Sequence, residues 1–196
     1  MSGQNLKNKT MYFIGIDPGT EPAICLLDEK GEIRELVLIK KTKFKKDSAG
    51  FNYYEVRDFF SRSSLYTSEL GIKLVAYIED VHSVYGSSAK ANFNFGGSRF
   101  ALEQSCVDHN IPTVGIQPKM WQKYLWIEED IQMKRNGKKG KDTKVTSFNC
   151  AKRILGDKWK DECFLPTSRS RVVNHNMIDA YLIARAAFEM NKNGEL

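Results

Sequence analysis

A short apolar strand that ends in an acidic turn constrains this chain more than any other feature of its sequence. Residues 12–16 are β-prone and almost wholly apolar, which is typical of a strand covered on both faces. Asp17 follows directly, and Pro18-Gly19 has the residue types of a tight turn. A carboxylate at the end of a buried strand is costly unless a cation compensates it. Asp17 is therefore either a metal ligand or a cap of the turn.

Two later hydrophobic stretches also deliver acids. Residues 74–78 form an apolar run followed by Glu79 and Asp80, and residues 177–184 are typical of an apolar helix with Asp179 near its start. Successive strand residues point to opposite faces, so only one of Glu79 and Asp80 can join Asp17. Three hard oxygen donors from separate elements are what Mg²⁺ or Mn²⁺ binding needs. The sequence therefore predicts a divalent-metal site.

Composition indicates an ordinary globular protein. The 196 residues are 41% apolar and 28% charged, and we expect one domain over residues 11–196 after a flexible tail over residues 1–10. No apolar run approaches the roughly 20 residues of a membrane helix, and the polar start lacks the core of a signal peptide. The four cysteines form no C-x-x-C pair, which favours free thiols in a reducing compartment.

The order of predicted elements indicates an α/β fold with a mixed sheet. Three strands are expected first, and the tight turn at residues 28–31 predicts antiparallel pairing. Helices and strands then alternate. The predicted strands cover residues 11–16, 23–27, 33–39, 73–78 and 112–116, and the predicted helices cover residues 53–66, 98–109, a short segment from 118, about 143–155, and 174–191. We place inward-facing Val145, Phe148, Ile154 and Leu155 on the fourth helix.

Basic clusters favour a polyanionic partner. The net charge is +6, and each lysine can displace condensed counterions from a nucleic-acid backbone, although solvated loops have the same composition. Two basic loops lie near residues 40–46 and 134–144, with a third cluster before the last helix. The candidate phosphate contacts are Lys40, Lys41, Lys43, Lys45, Lys46, Lys134, Arg135, Lys138, Lys139, Lys141, Arg169 and Arg171.

Aromatic residues occur in a long stretch of small residues over 82–97, predicted as a loop. His82, Tyr85 and Phe93 are candidates to stack on bases, whereas Phe95 is expected to pack beneath the loop. Further along, Trp121 and its neighbours Tyr124, Leu125 and Trp126 recur at helical spacing, which favours a core role over base stacking.

In combination these motifs resemble one family. The segments G-I-D-P-G-T (15–20), I-E-D-V-H (78–82) and I-D-A-Y-L-I-A (178–184) occur in the order seen in RuvC-type Holliday junction resolvases of the ribonuclease H-like superfamily. The likeness extends over about residues 11–190 and includes N-F-G-G-S-R (94–99). The segment Q-P-K-M-W-Q-K (117–123) makes the phage-type members the more similar ones.

The resemblance implies a metal-dependent endonuclease. It selects Glu79 over Asp80 and implies two Mg²⁺ or Mn²⁺ ions per active site, with Lys144 steadying the scissile phosphate. The implied substrate is branched DNA, especially four-way junctions, cut in paired nicks that leave 5′-phosphate and 3′-hydroxyl ends. The resemblance also implies a homodimer formed through the helix at 98–109 and DNA contacts by Lys90 and Arg99. We expect a cytoplasmic location, in a bacterial host cell if the protein is phage-encoded.

One position departs from the family pattern. The family has a fourth acid, or in some members a histidine, three residues before the last aspartate, and here that residue is Asn176. An amide oxygen binds metal more weakly than a carboxylate. His175 lies four residues before Asp179 and shares its face of the helix, so it is a candidate ligand or water-orienting group. An inactivating substitution at 176 is the other interpretation.

Three alternatives remain at this point. D-x-G-T after a strand also occurs in actin-like kinases and ATPases, but those need a second lobe for which this chain is too short. A non-catalytic junction-binding module is compatible with Asn176 and opposed by the three intact acids. A ribonuclease H-like nuclease acting on other branched, single-stranded or RNA–DNA hybrid substrates fits the charge equally well.

Overall fold

The computed structural model describes residues 10–19, 21–40, 52–80, 88–135 and 139–195. Its centre is a five-stranded sheet in the order β3-β2-β1-β4-β5. The strands are β1 (Met11–Asp17), β2 (Ala23–Leu27), β3 (Ile33–Leu38), β4 (Lys73–Glu79) and β5 (Thr113–Ile116). β1–β2 and β2–β3 pair antiparallel, whereas β1–β4 and β4–β5 pair parallel. The predicted α/β class with a mixed sheet is confirmed.

Five α-helices accompany the sheet in the described part of the chain. They are α1 (Tyr53–Glu69), α2 (Ala89–Asp108), α3 (Pro118–Leu125), α4 (Thr143–Leu155) and α5 (His175–Lys192). Side-chain caps fix several of their starts, since Asn52, Asp142 and Asn174 each accept a backbone N–H of the first turn. None of the described helices is long and apolar enough to cross a membrane.

The helices cover both faces of the sheet and make two core clusters. One face carries Tyr12, Ile14 and Ile16 of β1 against buried residues of α1 and α2. The other face carries Phe13 and Tyr77 against buried residues of α3, α4 and α5. Burial on both faces explains why β1 and β2 lack a polar alternation. The predicted free thiols are confirmed for Cys25, Cys106, Cys150 and Cys163.

The start of α2 corrects part of the predicted loop over residues 82–97, since residues 89–97 are helical while residues 82–87 lie outside the described residues. The helix begins at Ala89, nine residues before the predicted start, because Ser88 caps it by accepting the N–H of Ala91 at 3.2 Å. Gly96 and Gly97 lie inside the helix, where each costs about 1 kcal/mol relative to alanine. The run of small residues hid the helix, since glycine pairs usually mark turns.

The inward-facing prediction for Val145 is wrong. Its side chain is 37% exposed, because the buried face of α4 is made of the small residues Thr146, Ser147, Cys150 and Ala151. Phe148, Ile154 and Leu155 pack against the core cluster of α5, as predicted. Small side chains on α4 let it lie close to α5, which carries Asp179.

Candidate active site

Two acids lie side by side at the carboxyl edge of the sheet. β1 and β4 are parallel neighbours with Gly15 opposite Tyr77 and Ile16 opposite Ile78. Alternate residues share a face, so Asp17 and Glu79 point to the α5 side, the side of Phe13 and Tyr77. Asp80 points the other way, toward α2. The register therefore brings Asp17 together with Glu79, as the resemblance implied.

A close approach of α5 to β1 brings in the third acid. A Cβ added to Gly15 would lie 2.2 Å from the carbonyl oxygen of Ala180 and 2.3 Å from the backbone nitrogen of Ala184. Only glycine leaves room for the helix backbone at this crossing. Asp179 immediately precedes Ala180, so the crossing holds its carboxylate near the ends of β1 and β4.

The three carboxylates influence one another electrostatically. Burial raises the pKa of Asp17 well above its ordinary value, and the charges of Glu79 and Asp179 raise it further, while the Gly19 amide, 3.3 Å from Oδ1, lowers it. Burial also raises the pKa of Asp179, to about 7; the Ser147 hydroxyl lowers it, Glu79 raises it and Lys144 lowers it. Together with the strand register and the crossing at Gly15, the effect of Glu79 on both aspartates indicates one charged cluster.

The three acids do not form a preassembled ligand shell. Within the described ranges, no group of three or more His, Cys, Asp or Glu side chains is already arranged closely enough to hold a metal ion. The donor chemistry nevertheless fits a divalent cation, because Oδ1 of Asp179 is buried without a hydrogen-bond partner among the described residues. Buried carboxylate oxygens that lack donors are the groups that a hard cation satisfies.

Glu79 has a partner that the sequence did not reveal. The indole Nε1–H of Trp121 donates to Oε1 of Glu79 at 2.9 Å. Burial raises the pKa of Glu79, and this hydrogen bond lowers it. The predicted core position of Trp121 is confirmed, since only 1% of its surface is exposed. Helical spacing shows that a tryptophan is buried but not what its N–H contacts.

The two residues at the start of α5 have different surroundings. Asn176 donates from Nδ2 to the carbonyl oxygen of Glu21 at 2.9 Å, so its amide anchors α5 to the β1–β2 connection. Nδ1 of His175 is buried without a partner in the described structure. Burial lowers the pKa of His175, Lys144 lowers it further and Asp142 raises it. A carboxylate could not donate as Asn176 does, while the ligand roles of both residues stay predictions.

Two side chains of α2 connect it to the residues that follow β1 and β4. Arg99 pairs with Asp80 at 2.6 Å and with Glu103 at 3.0 Å. Ser98 donates from Oγ to the carbonyl oxygen of Gly19 at 3.0 Å. Asp80 directly follows Glu79, and Gly19 lies two residues after Asp17, so both contacts are next to a predicted metal ligand. Arg99 thus has a structural role that sequence reasoning missed, and its predicted DNA contact stays a prediction.

The predicted phosphate contacts are distributed around the start of α4 and beyond. Lys134 donates its backbone N–H to the carbonyl of Gly140 at 3.0 Å, and Met133 forms a β-bridge with Lys141, so residues 133–134 pair with residues 140–141. This segment leads directly to α4, where the charge of Lys144 lowers the pKa of Asp179. The side chains of Lys40, Lys134, Arg135, Lys139, Lys141, Lys144, Arg169 and Arg171 are exposed.

Other predicted contacts are only partly described. Phe93 lies on α2 with 81% of its side chain exposed, and Phe95 is half-buried. Lys90 lies in the first turn of the same helix. Seven predicted residues fall outside the described residues, namely Lys41, Lys43, Lys45, Lys46, His82, Tyr85 and Lys138.

Comparison with solved structures identifies the fold. RuvC of Thermus thermophilus in complex with a Holliday junction substrate matches 94% of this chain and 96% of its own, with 14% identity and a TM-score of 0.57. A second structure of Thermus thermophilus RuvC matches 94% and 97%, with 16% identity and a TM-score of 0.56. This chain has the RuvC-like, ribonuclease H-like fold. The fold class that the motifs implied is thus confirmed.

Sequence comparisons add nothing to this likeness. No family model matches the chain, and no curated protein matches it significantly. At 14–16% identity the structural match shows a shared RuvC-like fold only.

Proposed function

We propose that this protein is a divalent-metal-dependent endonuclease that resolves four-way or otherwise branched DNA by paired nicks. The observations that carry the proposal are the register of β1 and β4, which puts Asp17 beside Glu79, and the close crossing at Gly15, which holds Asp179 of α5 near their ends. It is supported by the RuvC-like fold, since one matching RuvC structure is a complex with a Holliday junction substrate. A cytoplasmic location and a phage source stay predictions.

The chemistry follows from the acids and the lysine beside them. Asp17, Glu79 and Asp179 would hold two Mg²⁺ or Mn²⁺ ions, with Asn176 or His175 as a further donor. Such ions supply an activated water and stabilise the leaving oxygen of the phosphodiester, which gives 5′-phosphate and 3′-hydroxyl ends. Lys144 brings a positive charge to the same cluster, where it would stabilise negative charge on the scissile phosphate.

A labelled four-way junction incubated with Mg²⁺ tests the proposal. We expect the wild-type protein to make paired nicks at symmetric positions and to leave a linear duplex of the same sequence uncut. Asp17→Asn should bind the junction without cutting it, while the exposed control Asp58→Asn on α1 should cut normally. Junction that is shifted but uncut by the wild type in both Mg²⁺ and Mn²⁺ would favour a non-catalytic binding module. Preferred cutting of RNA–DNA hybrid would indicate a different nuclease.

A homodimer is part of the proposal, because paired nicks on a two-fold junction need two sites related by two-fold symmetry. The outer face of α2 supports it. Phe93, Phe100 and Val107 recur every seven residues along one face and are 81%, 67% and 59% exposed. Gly96 and Gly97 lie between them, and among the described residues no other element comes within 4 Å of a Cβ added to either. An apolar stripe beside small residues suits close helix–helix packing.

Phe100→Asp should therefore disrupt the dimer. A buried charge at an aromatic contact typically costs about 2 kcal/mol or more, which weakens self-association at least about 30-fold. Sedimentation at micromolar concentration should show a dimer for the wild type and a monomer for the variant, which should make single rather than paired nicks. Leu65→Asp is the matched control, since Leu65 is 63% exposed on α1. A monomeric wild type would contradict the proposal.

Lys144→Ala should slow nicking more than it weakens junction binding. The lysine charge lowers the pKa of both Asp179 and His175, so it lies near the proposed site of cleavage. Its loss should remove stabilisation of the transition state and slow the reaction about 10²-fold. Single-turnover nicking and a binding titration in Ca²⁺ separate the two effects. Lys152→Ala, from an exposed position on the same helix, should leave the rate unchanged. If Lys144→Ala weakened junction binding but left the single-turnover rate unchanged, Lys144 would be a phosphate contact without a role in the chemical step.

A further inference from the structure

Trp121 lies where it can control the orientation of Glu79. β5 pairs with β4 so that Ile116 lies opposite Glu79, and α3 begins at Pro118 two residues later. The first turn of α3 therefore adjoins the end of β4. Trp121 lies in this turn, and its indole N–H donates to Oε1 of Glu79 at 2.9 Å.

The indole is held rigidly, so the donor keeps its direction. Trp121 is 1% exposed and belongs to the core cluster formed with α5. Trp126 contacts it edge-to-face at a ring-centroid distance of 5.9 Å. A ring confined in this way cannot follow a carboxylate that changes rotamer, so the hydrogen bond is kept only when Glu79 adopts the observed orientation.

We propose that Trp121 is a positioning residue that holds Oε1 of Glu79 and leaves Oε2 as the oxygen presented to the divalent cation. An indole N–H only donates, so it selects a carboxylate acceptor and cannot itself bind metal. Hydrogen-bond partners that orient ligating carboxylates typically change metal affinity by about 10–100-fold. The inference rests on the proposed function, because it requires Glu79 to be a metal ligand.

Mn²⁺ binding to the free protein, measured by calorimetry, tests this role without depending on activity. Trp121→Phe keeps an aromatic ring but loses the donor, and we expect the Kd for Mn²⁺ to rise about 10–100-fold. Trp159→Phe is the matched control, because the indole N–H of Trp159 donates to Asp161 at 2.6 Å and not to an acid of the cluster, and its Kd should equal that of the wild type. Junction binding in Ca²⁺ should be alike in all three proteins, and nicking by Trp121→Phe should recover as Mn²⁺ is raised.

The outcomes separate this inference from the proposed function. Wild-type protein that binds Mn²⁺, together with an unchanged Trp121→Phe, would overturn the inference alone. A wild type that binds no Mn²⁺ would overturn both the proposed metal site and the role of Trp121.

A second measurement uses the unmodified chain and so does not depend on how the variant folds. In ¹⁵N-tryptophan-labelled wild-type protein, Mg²⁺ should shift the Trp121 indole resonance. The indole of Trp159, which donates to the carboxylate of Asp161 at 2.6 Å, should not move. A Trp121 resonance that saturating Mg²⁺ leaves in place would count against the role.

Discussion

Replacing Gly15 with alanine is expected to destabilise the protein by at least about 3 kcal/mol, or to prevent folding. An added Cβ would lie 2.2 Å from the carbonyl oxygen of Ala180, 2.3 Å from the nitrogen of Ala184 and 2.8 Å from the Cβ of Ala184. Two of these contacts are with the backbone of α5, so no side-chain rotation relieves them. Overpacking of this kind costs about 1–3 kcal/mol where a core can adjust, and more where it cannot.

The same substitution should reduce any metal-dependent activity that remains. To accept a methyl group, α5 must move away from β1, and Asp179 moves with it. Urea denaturation should show a lower midpoint with an unchanged slope. Gly115→Ala on β5 is the control, since a Cβ added there would have its nearest neighbours, on Arg99 and Asp80, at 3.6 Å, which is an ordinary van der Waals distance. An unchanged midpoint for Gly15→Ala would contradict the close packing of β1 and α5.

Asp179→Asn is expected to abolish nicking and at the same time to stabilise the metal-free protein. Losing a group that only orients a metal ligand costs about 10–100-fold, so loss of a ligand that carries charge should cost about 10³-fold or more. The gain in stability comes from burial, which raises the pKa of Asp179 from its ordinary 3.8 to about 7. Ionising this carboxylate therefore costs free energy in the folded state that it does not cost in the unfolded chain.

The effect on stability has a defined pH window. Between about pH 4 and pH 7 the folded protein binds the proton of Asp179 more tightly than the unfolded chain does, so the free energy of unfolding falls as pH rises. The asparagine side chain of the variant cannot ionise and escapes this loss. We expect the metal-free variant to be more stable than the wild type by on the order of 1–3 kcal/mol at pH 8, with the difference vanishing near pH 4.

Divalent cations should reverse this comparison. Mg²⁺ that binds only the folded state stabilises it by about 2.7 kcal/mol at 100 times Kd. Saturating Mg²⁺ should therefore raise the Tm of the wild type but not of Asp179→Asn. Asp58→Asn, on the exposed face of α1, is the matched control and should behave like the wild type with and without Mg²⁺. A wild type whose Tm is insensitive to Mg²⁺ and Mn²⁺ would contradict the metal site.

Much of the architecture was accessible from sequence because it follows from local patterns. The all-apolar runs of β1 and β4 indicated two buried strands, and the turn over residues 28–31 indicated the antiparallel hairpin of β2 and β3. The predicted starts of the last two helices, at about residues 143 and 174, lie within one residue of the observed starts of α4 and α5. Where a local pattern was ambiguous the prediction was wrong: the glycine pair of α2 suggested a loop, and Val145 suggested a buried face.

The sequence by itself determined that three acids each adjoin a hydrophobic element, because the residues before and after a carboxylate fix its place on a strand or helix. Only the tertiary structure decided what those acids meet. The indole of Trp121 at Glu79, the pairing of Arg99 with Asp80 and the anchoring of Asn176 to Glu21 join residues that are 42, 19 and 155 positions apart. Such contacts depend on the register of parallel strands and on the close crossing at Gly15, which no local periodicity encodes.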